Sequence, residues 1–195
     1  MIKKILFAAI AILTSIAASA QIGLGVRDTR YVNINYRYRE CWTAKFEQSV
    51  YSEKMGYQYF RIYAGYERAL GMFTVKAEPY FGMTYNNSYT NEGIAIGGSV
   101  APLKWLAVET AIVPHHDSGM GYTTCYNAGV EFRCTRQIAV TGALTNRPEY
   151  RKAERRVRCG LKFTVDNLWV HPELSIPTEG YAKNVRMLVS MGYHF

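Results

Sequence analysis

The chain is poor in cysteine, and its few cysteines lack the spacing of a metal site. Cys41, Cys125, Cys134 and Cys159 form neither a Cys-x-x-Cys pair nor a zinc pattern. Cys125 and Cys134 lie nine residues apart on one predicted strand, which is too far in an extended chain for a mutual disulfide. We interpret the cysteines as small apolar residues on a strand face. The alternative is that they form disulfides in an oxidising compartment. We predict no metal site and no cofactor.

The sequence also lacks the patterns of nucleotide-binding proteins and, after residue 20, of membrane helices. No glycine-rich loop stands between a strand and a helix. No later stretch is apolar enough for a spanning helix, although aromatic residues make up 14% of the chain. These absences leave two classes, a soluble all-β protein and a membrane β-barrel.

Residues 1–20 have the organisation of a cleaved export signal. A basic start precedes an apolar run over residues 5–13, and Ala-Ser-Ala at 18–20 is a pattern that a signal peptidase accepts. The apolar run is shorter than the about 20 residues that a spanning helix needs, and no cysteine for a lipid anchor follows it. We predict a cleaved signal peptide over 1–20 and one mature domain over 21–195.

Export limits the partners that the basic charge of the chain could bind. The formal net charge of +8 falls to +6 when Lys3 and Lys4 leave with the signal. An exported chain has no access to nucleic acid, so no nucleic-acid partner is predicted. Lipopolysaccharide or an anionic solute is the better candidate for an electrostatic partner.

Alternation with period two dominates the mature chain. In residues 73–85, 122–132 and 157–165, every second side chain is apolar except for Thr124, and charged residues, threonine and glycine are common between them. This alternation is typical of strands with one apolar face. No helical stripe of comparable length competes with it.

Two kinds of connection separate these strands. Five polar or basic turns are each followed at once by a large apolar residue, at 39–42, 68–72, 103–106, 135–138 and 166–169. Between them lie six longer polar connectors, at 28–30, 52–56, 86–92, 114–121, 146–153 and 177–184. Eleven connections predict an all-β, closed, antiparallel, up-and-down transmembrane β-barrel of twelve strands, with eight or ten as alternatives.

Aromatic residues indicate which face is outside. All three tryptophans stand at the short turns, whereas tyrosines crowd the other strand ends. Two aromatic girdles are typical of a barrel that crosses two membrane interfaces with its apolar face outward. The predicted girdle comprises Trp42, Trp105, Trp169, Tyr31, Tyr85 and Tyr122.

The last strand carries a resemblance to a known class. Val189, Met191, Tyr193 and the terminal Phe195 continue the apolar parity to the end of the chain. This pattern resembles that of bacterial outer-membrane β-barrel proteins. The resemblance implies a location in the outer membrane of a Gram-negative bacterium. It also implies that the barrel-insertion machinery recognises this strand.

Parity assigns a set of charged side chains to the lumen. The basic ones are Arg37, Arg39, Lys45, Arg61, Lys76, Arg133, Arg156, Arg158, Lys162 and Arg186. The acidic ones are Glu47, Glu67, Glu78, Glu109, Glu131 and Glu173. We predict that these charges form an interlocked ion-pair ladder that plugs the barrel, so that the chain is a scaffold, an envelope component with a possible partner in a larger complex. A narrow lumen with excess basic groups would instead be a small anion-selective porin, since rings of Arg and Lys favour anions.

Two connectors suggest contact with lipid. His116 and Ser118 share the outward parity, and a serine beside a histidine base could attack an acyl ester. The spacing is similar to that of outer-membrane phospholipases and lipid A deacylases, but no Asn or Glu partner is evident, and a solvated polar loop is the favoured interpretation. We therefore predict that the chain is not an enzyme. In the charged segment 147–156, Arg151, Lys152 and Arg155 are candidates for binding lipopolysaccharide phosphates.

Overall fold

The alternating pattern forms antiparallel strands throughout the part of the chain that the computed structural model describes, namely residues 20–50, 58–146, 154–179 and 185–195. Within these residues the twelve strands are β1 Ala20–Arg27, β2 Tyr31–Tyr38, β3 Trp42–Ser49, β4 Tyr59–Leu70, β5 Phe73–Thr84, β6 Thr90–Leu103, β7 Leu106–Asp117, β8 Gly121–Arg133, β9 Ile138–Thr145, β10 Arg156–Val165, β11 Leu168–Pro177 and β12 Arg186–His194. No helix in these ranges is long and apolar enough to cross a membrane.

Every strand pairs with its neighbours in sequence, and β1 pairs with β12 to close the barrel. The closing register sets Gly23 opposite His194 and Val26 opposite Met191. The Phe195 amide donates a further hydrogen bond to the Ile22 carbonyl at 2.9 Å. Closure leaves no exposed strand edge. The prediction of a closed, antiparallel, twelve-stranded barrel is confirmed over the alternatives of eight and ten strands.

The connections divide between two rims. The turn rim carries the short turns between β2 and β3, β4 and β5, β6 and β7, β8 and β9, and β10 and β11. The start of β1 and the end of β12 lie at the same rim. The connector rim carries the other six connections. Some short turns use left-handed backbone, as at Arg39 and Glu40 (φ 48° and 60°) and at Gly71 (φ 66°). Such turns match the right-handed twist of the paired strands.

One connector is shorter than its sequence indicates. Residues 114–121 were expected to form a loop, but β7 continues through Pro114 to Asp117 and only residues 118–120 form the turn. The strand persists because these residues pair on both sides. His115, for instance, lies opposite Gly93 of β6 and Thr123 of β8. The hydrogen bonds to strands on both sides stabilise this segment by more than is lost through the backbone N–H that Pro114 lacks.

The two faces of the barrel differ in chemistry. Apolar side chains point outward and stay exposed, as at Ile62, Ile112 and Met187. Polar and charged side chains point into the lumen, where Glu47 is only 1% exposed and Arg61 only 3%. An apolar exterior around a polar interior is the arrangement of a barrel in lipid and the reverse of a soluble barrel.

Candidate functional site

The lumen contains open space bounded by polar side chains. Two cavities of about 470 and 610 Å³ lie inside the barrel. Ser99, Glu109, Ala143 and Glu173 line both of them, so the cavities adjoin. The first reaches Arg61 towards the connector rim, and the second reaches the β10–β11 turn at the turn rim. Side chains therefore do not fill the interior.

Near the connector rim, a chain of hydrogen bonds crosses the inner wall from β10 to β3. Arg158 donates to Asp28 at 3.1 and 3.4 Å. Arg27 also donates to Asp28, at 2.7 Å, and it donates to both carboxylate oxygens of Glu47 at 2.8 Å. Each carboxylate thus has a guanidinium partner, which offsets the cost of burying the charges.

The same chain continues across β4 to β6 through tyrosine hydroxyls. Tyr63 donates to Glu47 at 3.2 Å, and Arg61 donates to the hydroxyls of Tyr63 and Tyr59 at 3.2 and 2.6 Å. Tyr59 in turn donates to Asn91 at 2.8 Å. We call the connected set the inner belt; its members are Arg158, Asp28, Arg27, Glu47, Tyr63, Arg61, Tyr59 and Asn91. The inner belt lies on the lumenal wall near the connector rim.

The predicted lumenal charges below the inner belt meet in small groups. Glu131 accepts from Arg133 at 2.8 Å and from Lys162 at 3.0 Å. Lys76 lies 3.0 Å from Glu78. Arg37 donates to Glu67. These contacts join neighbouring positions on the wall and leave the cavities open.

The remaining predicted charges are held differently. Lys45 lies 3.7 Å from the centre of the Tyr63 ring. Glu109 accepts from the Asn127 amide at 2.9 Å. Glu173 is 3.9 Å from Arg158. Arg156 binds Ser175 at 2.7 Å and Glu154 at 2.5 Å.

Two further predicted lumenal residues lie at strand ends. Register puts Arg186 on the inner face opposite Ser175. Arg39 lies in the β2–β3 turn, with its guanidinium 5.1 Å from the ring of Tyr38. Tyr38 is on the outward parity of β2, so the prediction that Arg39 faces the lumen is wrong. A left-handed turn breaks the alternation on which that prediction depended.

Sequence reasoning missed several members of the inner belt. Arg27 has the inward parity of Gly23 and Gly25, so the alternation rule could have found it. Tyr59 and Tyr63 have the same parity as Arg61, which was assigned to the lumen, so the alternation rule could have found them as well. Asp28 lies in a connector, where parity gives no direction.

A buried polar cluster on β5 and β7 was also unforeseen. The Tyr80 hydroxyl lies 2.7 Å from Nδ1 of His115, and Nε2 of the same ring lies 3.3 Å from Asp117. The other oxygen of Asp117 accepts the amides of Gly119 and Met120 at 2.7 and 2.6 Å. The cluster therefore fastens the β7–β8 turn to the inner wall.

The predicted aromatic girdle is only partly on the outer face. Trp42, Trp105, Tyr85 and Tyr122 point outward and are at least half exposed. The prediction for Tyr31 is wrong, because this ring is buried in the lumen with Tyr59 and Tyr89. Tyr31 has the inward parity of its strand, beside Arg27, whose guanidinium lies 4.4 Å from the ring centre.

The prediction for Trp169 is also wrong. Register pairs Trp169 with the inward residues Thr164 and Gly192, while its neighbour Leu168 pairs with Val165 and faces outward. The indole therefore lies on the inner wall at the turn rim and lines the larger cavity. A large apolar residue after a turn does not by itself reveal which of two successive positions faces lipid.

The candidate hydrolase residues lie on the outer face near the connector rim. The ring of His116 packs against that of Tyr122 at a tilt of 40°, with ring centres 4.4 Å apart, and its Nδ1 lies 3.6 Å from Glu92 on the neighbouring strand. Ser118 Oγ accepts the amide of Thr90 at 3.0 Å. The serine is thus tied to the strand ladder. The described residues contain no cluster of three or more potential metal ligands.

The C-terminal strand has the predicted parity. Met191, Tyr193 and Phe195 are exposed on the outer face, and the last two rings form an edge-to-face pair at 4.9 Å. Val189 shares this face and lies opposite Pro172 of β11. These contacts define the strand's outer surface at the turn rim.

Some predictions concern residues outside the described ranges. Almost all of the predicted signal peptide and two of the candidate lipopolysaccharide contacts, Arg151 and Lys152, lie there. The third candidate, Arg155, is exposed and lies 3.5 Å from Glu179.

Comparison with known proteins supports the fold. No family model matches the sequence, and no curated protein matches it either. Among solved structures, the chain is similar to a KdgM porin in complex with disordered oligogalacturonate, with a TM-score of 0.69, 12% identity, and 91% of this chain and 99% of that chain covered. A second KdgM porin structure gives a TM-score of 0.67 with the same identity and coverage. The NanC porin gives 0.58 at 12% identity, covering 90% and 98% of the two chains. The fold is therefore similar to that of the KdgM and NanC porins.

Proposed function

We propose that this chain is a narrow porin in the outer membrane of a Gram-negative bacterium, reached through export and cleavage of residues 1–20. It conducts ions and small hydrophilic solutes through its lumen, with a weak preference for anions. The observation that carries the proposal is the pair of adjoining cavities below the inner belt. A barrel serving only as a scaffold has no need of a polar, unfilled interior.

The proposed anion preference rests on the balance of lumenal charge. In the described part of the chain, the inner face carries somewhat more basic than acidic side chains. Most carboxylates already accept from an arginine or lysine, as Glu131 does from Lys162. A small basic excess in a narrow lumen favours anions. The solved KdgM porin is in complex with oligogalacturonate, an acidic saccharide, which is consistent with a preference for anions.

Planar-bilayer recording tests the proposal. The purified chain, refolded without residues 1–20, should give discrete current steps. A potassium chloride gradient should give a reversal potential displaced towards that of chloride. Bilayers treated with detergent alone are the control. Silence under voltage at several salt concentrations would overturn the porin.

A scaffold within a larger envelope complex is the second candidate function. The inner belt favours it, because Arg27, Asp28 and Arg158 join strands on opposite sides of the β1–β12 closure. Such cross-links stiffen a barrel whether or not it conducts. A scaffold predicts a stoichiometric partner after gentle detergent extraction together with silent bilayers, whereas the porin predicts conductance without any partner.

A further inference from the structure

An inward-facing tryptophan is the least expected feature of the lumen. Trp169 lies near the start of β11, and its indole edge covers Gly192 of β12. A Cβ built on that glycine would lie 2.7 to 2.9 Å from Nε1, Cε2 and Cζ2 of the ring. Because Gly192 has no side chain, the indole of Trp169 can lie against the wall of the barrel. The ring is only partly buried and lines the cavity of about 610 Å³ at the turn rim.

Polar groups line the same cavity as the indole. His171 Nε2 lies 2.7 Å from the hydroxyl of Thr141, and Nδ1 of the same ring lies 3.7 Å from Glu173. Asn167 and His194 also line the cavity. The cavity thus contains hydrogen-bond donors and acceptors together with one large apolar ring. The volume is within the range of about 300–1,000 Å³ typical of small-molecule sites.

Carboxylates outnumber the strong bases in the lining of this cavity. Its two strong bases, Lys162 and Arg133, both donate to Glu131. Glu109, Glu173 and Asp166 add further carboxylates to the lining. The wall therefore offers no unmatched cationic site to an acidic ligand, and desolvating its ion pairs for one would be costly.

We propose that this cavity is a binding site for a neutral saccharide, with a pyranose ring stacked on Trp169. One side of a pyranose presents aliphatic C–H groups that suit an aromatic surface, while its hydroxyl groups both donate and accept hydrogen bonds. The histidine, threonine and asparagine side chains supply partners for those hydroxyls. The proposal rests on the porin function above and names a solute class that the lumen retains near its turn rim.

Intrinsic fluorescence can isolate this tryptophan. Trp42 and Trp105 lie on the outer face, so a Trp42→Phe, Trp105→Phe barrel emits from Trp169 alone. Titration with maltose should change its emission saturably, and glycerol, which lacks a pyranose ring, should not. Methyl galactoside should bind at least several-fold more tightly than galacturonate. An emission unaffected by maltose, or tighter binding of galacturonate, would overturn the proposal.

Current recordings provide a second readout that separates the two proposals. Maltose should reduce the ion current of the wild-type barrel saturably, and Trp169→Ala should weaken this block at least tenfold. Trp169→Phe keeps an aromatic ring and guards against a folding defect, so it should retain most of the block. Equal block of the wild-type and Trp169→Ala barrels would overturn the saccharide site while leaving the porin intact. Silent bilayers with a saturable Trp169 emission would overturn the porin and support the site.

Discussion

Arg27 and Glu47 lie on either side of β2 on the inner wall, and two guanidinium nitrogens bind the two carboxylate oxygens at 2.8 Å. Glu47 is 1% exposed, and the arginine offsets much of the cost of burying its charge. We predict that Glu47→Gln leaves Arg27 incompletely paired and shifts the reversal potential further towards chloride. The unfolding free energy should fall by roughly 1–3 kcal/mol, because a buried charged donor loses its acceptor. Reversal potentials and urea unfolding in detergent measure both effects.

Glu179→Gln is the matched control for this change. Glu179 lies 3.5 Å from Arg155, with three quarters of its side chain exposed. Exposed pairs contribute about 0–1 kcal/mol, so both selectivity and stability should stay close to the wild type. Equal effects of the two substitutions would show that Glu47 has no special place in the lumen.

Gly82 on β5 makes room for a tyrosine of the inner belt. A Cβ at this position would collide with the hydroxyl and Cζ of Tyr59, and that hydroxyl bonds both Arg61 and Asn91. We predict that Gly82→Ala destabilises the barrel by about 1–3 kcal/mol, the usual cost of overpacking. Gly142→Ala is the control, since its nearest contact would be Cγ1 of Val130 at 3.6 Å. Thermal unfolding of both variants decides the matter, and a harmless Gly82→Ala would contradict the observed packing.

Strand number and rim assignment could be predicted because they depend only on alternation and turn chemistry. Side-chain direction was predictable wherever a strand keeps its register, as for Arg61 and Glu131. It failed at Arg39, which lies in a turn, and at Trp169, where one position separates the lipid-facing Leu168 from the lumen. A tyrosine or tryptophan suits both a membrane interface and a polar lumen, so residue type could not correct the error.

Contacts between strands that are distant in the chain could not be predicted from the sequence. Arg158 and Asp28 are 130 residues apart and meet because the barrel closes between β1 and β12. Neither residue carries a local signal for the other. Likewise, Glu92 approaches His116 through the register of β6 and β7, which is set by pairing along the whole length of both strands.

Ser118 tests whether the outer face has hydrolase chemistry. Its Oγ accepts the amide of Thr90, and the His116 ring faces Glu92 and Tyr122. We predict that Ser118→Ala leaves the lipid A and phospholipid profiles of expressing cells unchanged. Its effect should be limited to about 0.5–1.5 kcal/mol of stability, the value of one hydrogen bond. Lipid mass spectrometry of wild-type, Ser118→Ala and His116→Ala cells is the measurement. Acyl release that requires both residues would make the chain a hydrolase.

Phe195 tests the proposed role of the last strand in assembly. Its amide bonds Ile22 across the barrel closure, whereas its ring is 70% exposed and touches Tyr193. Because the backbone bond survives side-chain truncation, Phe195→Ala should fold in detergent with nearly wild-type stability. In cells it should reach the outer membrane in much smaller amounts, since the insertion machinery would lose the terminal aromatic ring. Phe132→Ala removes another outward phenylalanine at the turn rim, stacked on Trp105 at 6.1 Å, and should assemble normally. Membrane fractionation with heat-modifiability gels compares the three proteins, and normal assembly of Phe195→Ala would show that recognition does not require this terminal ring.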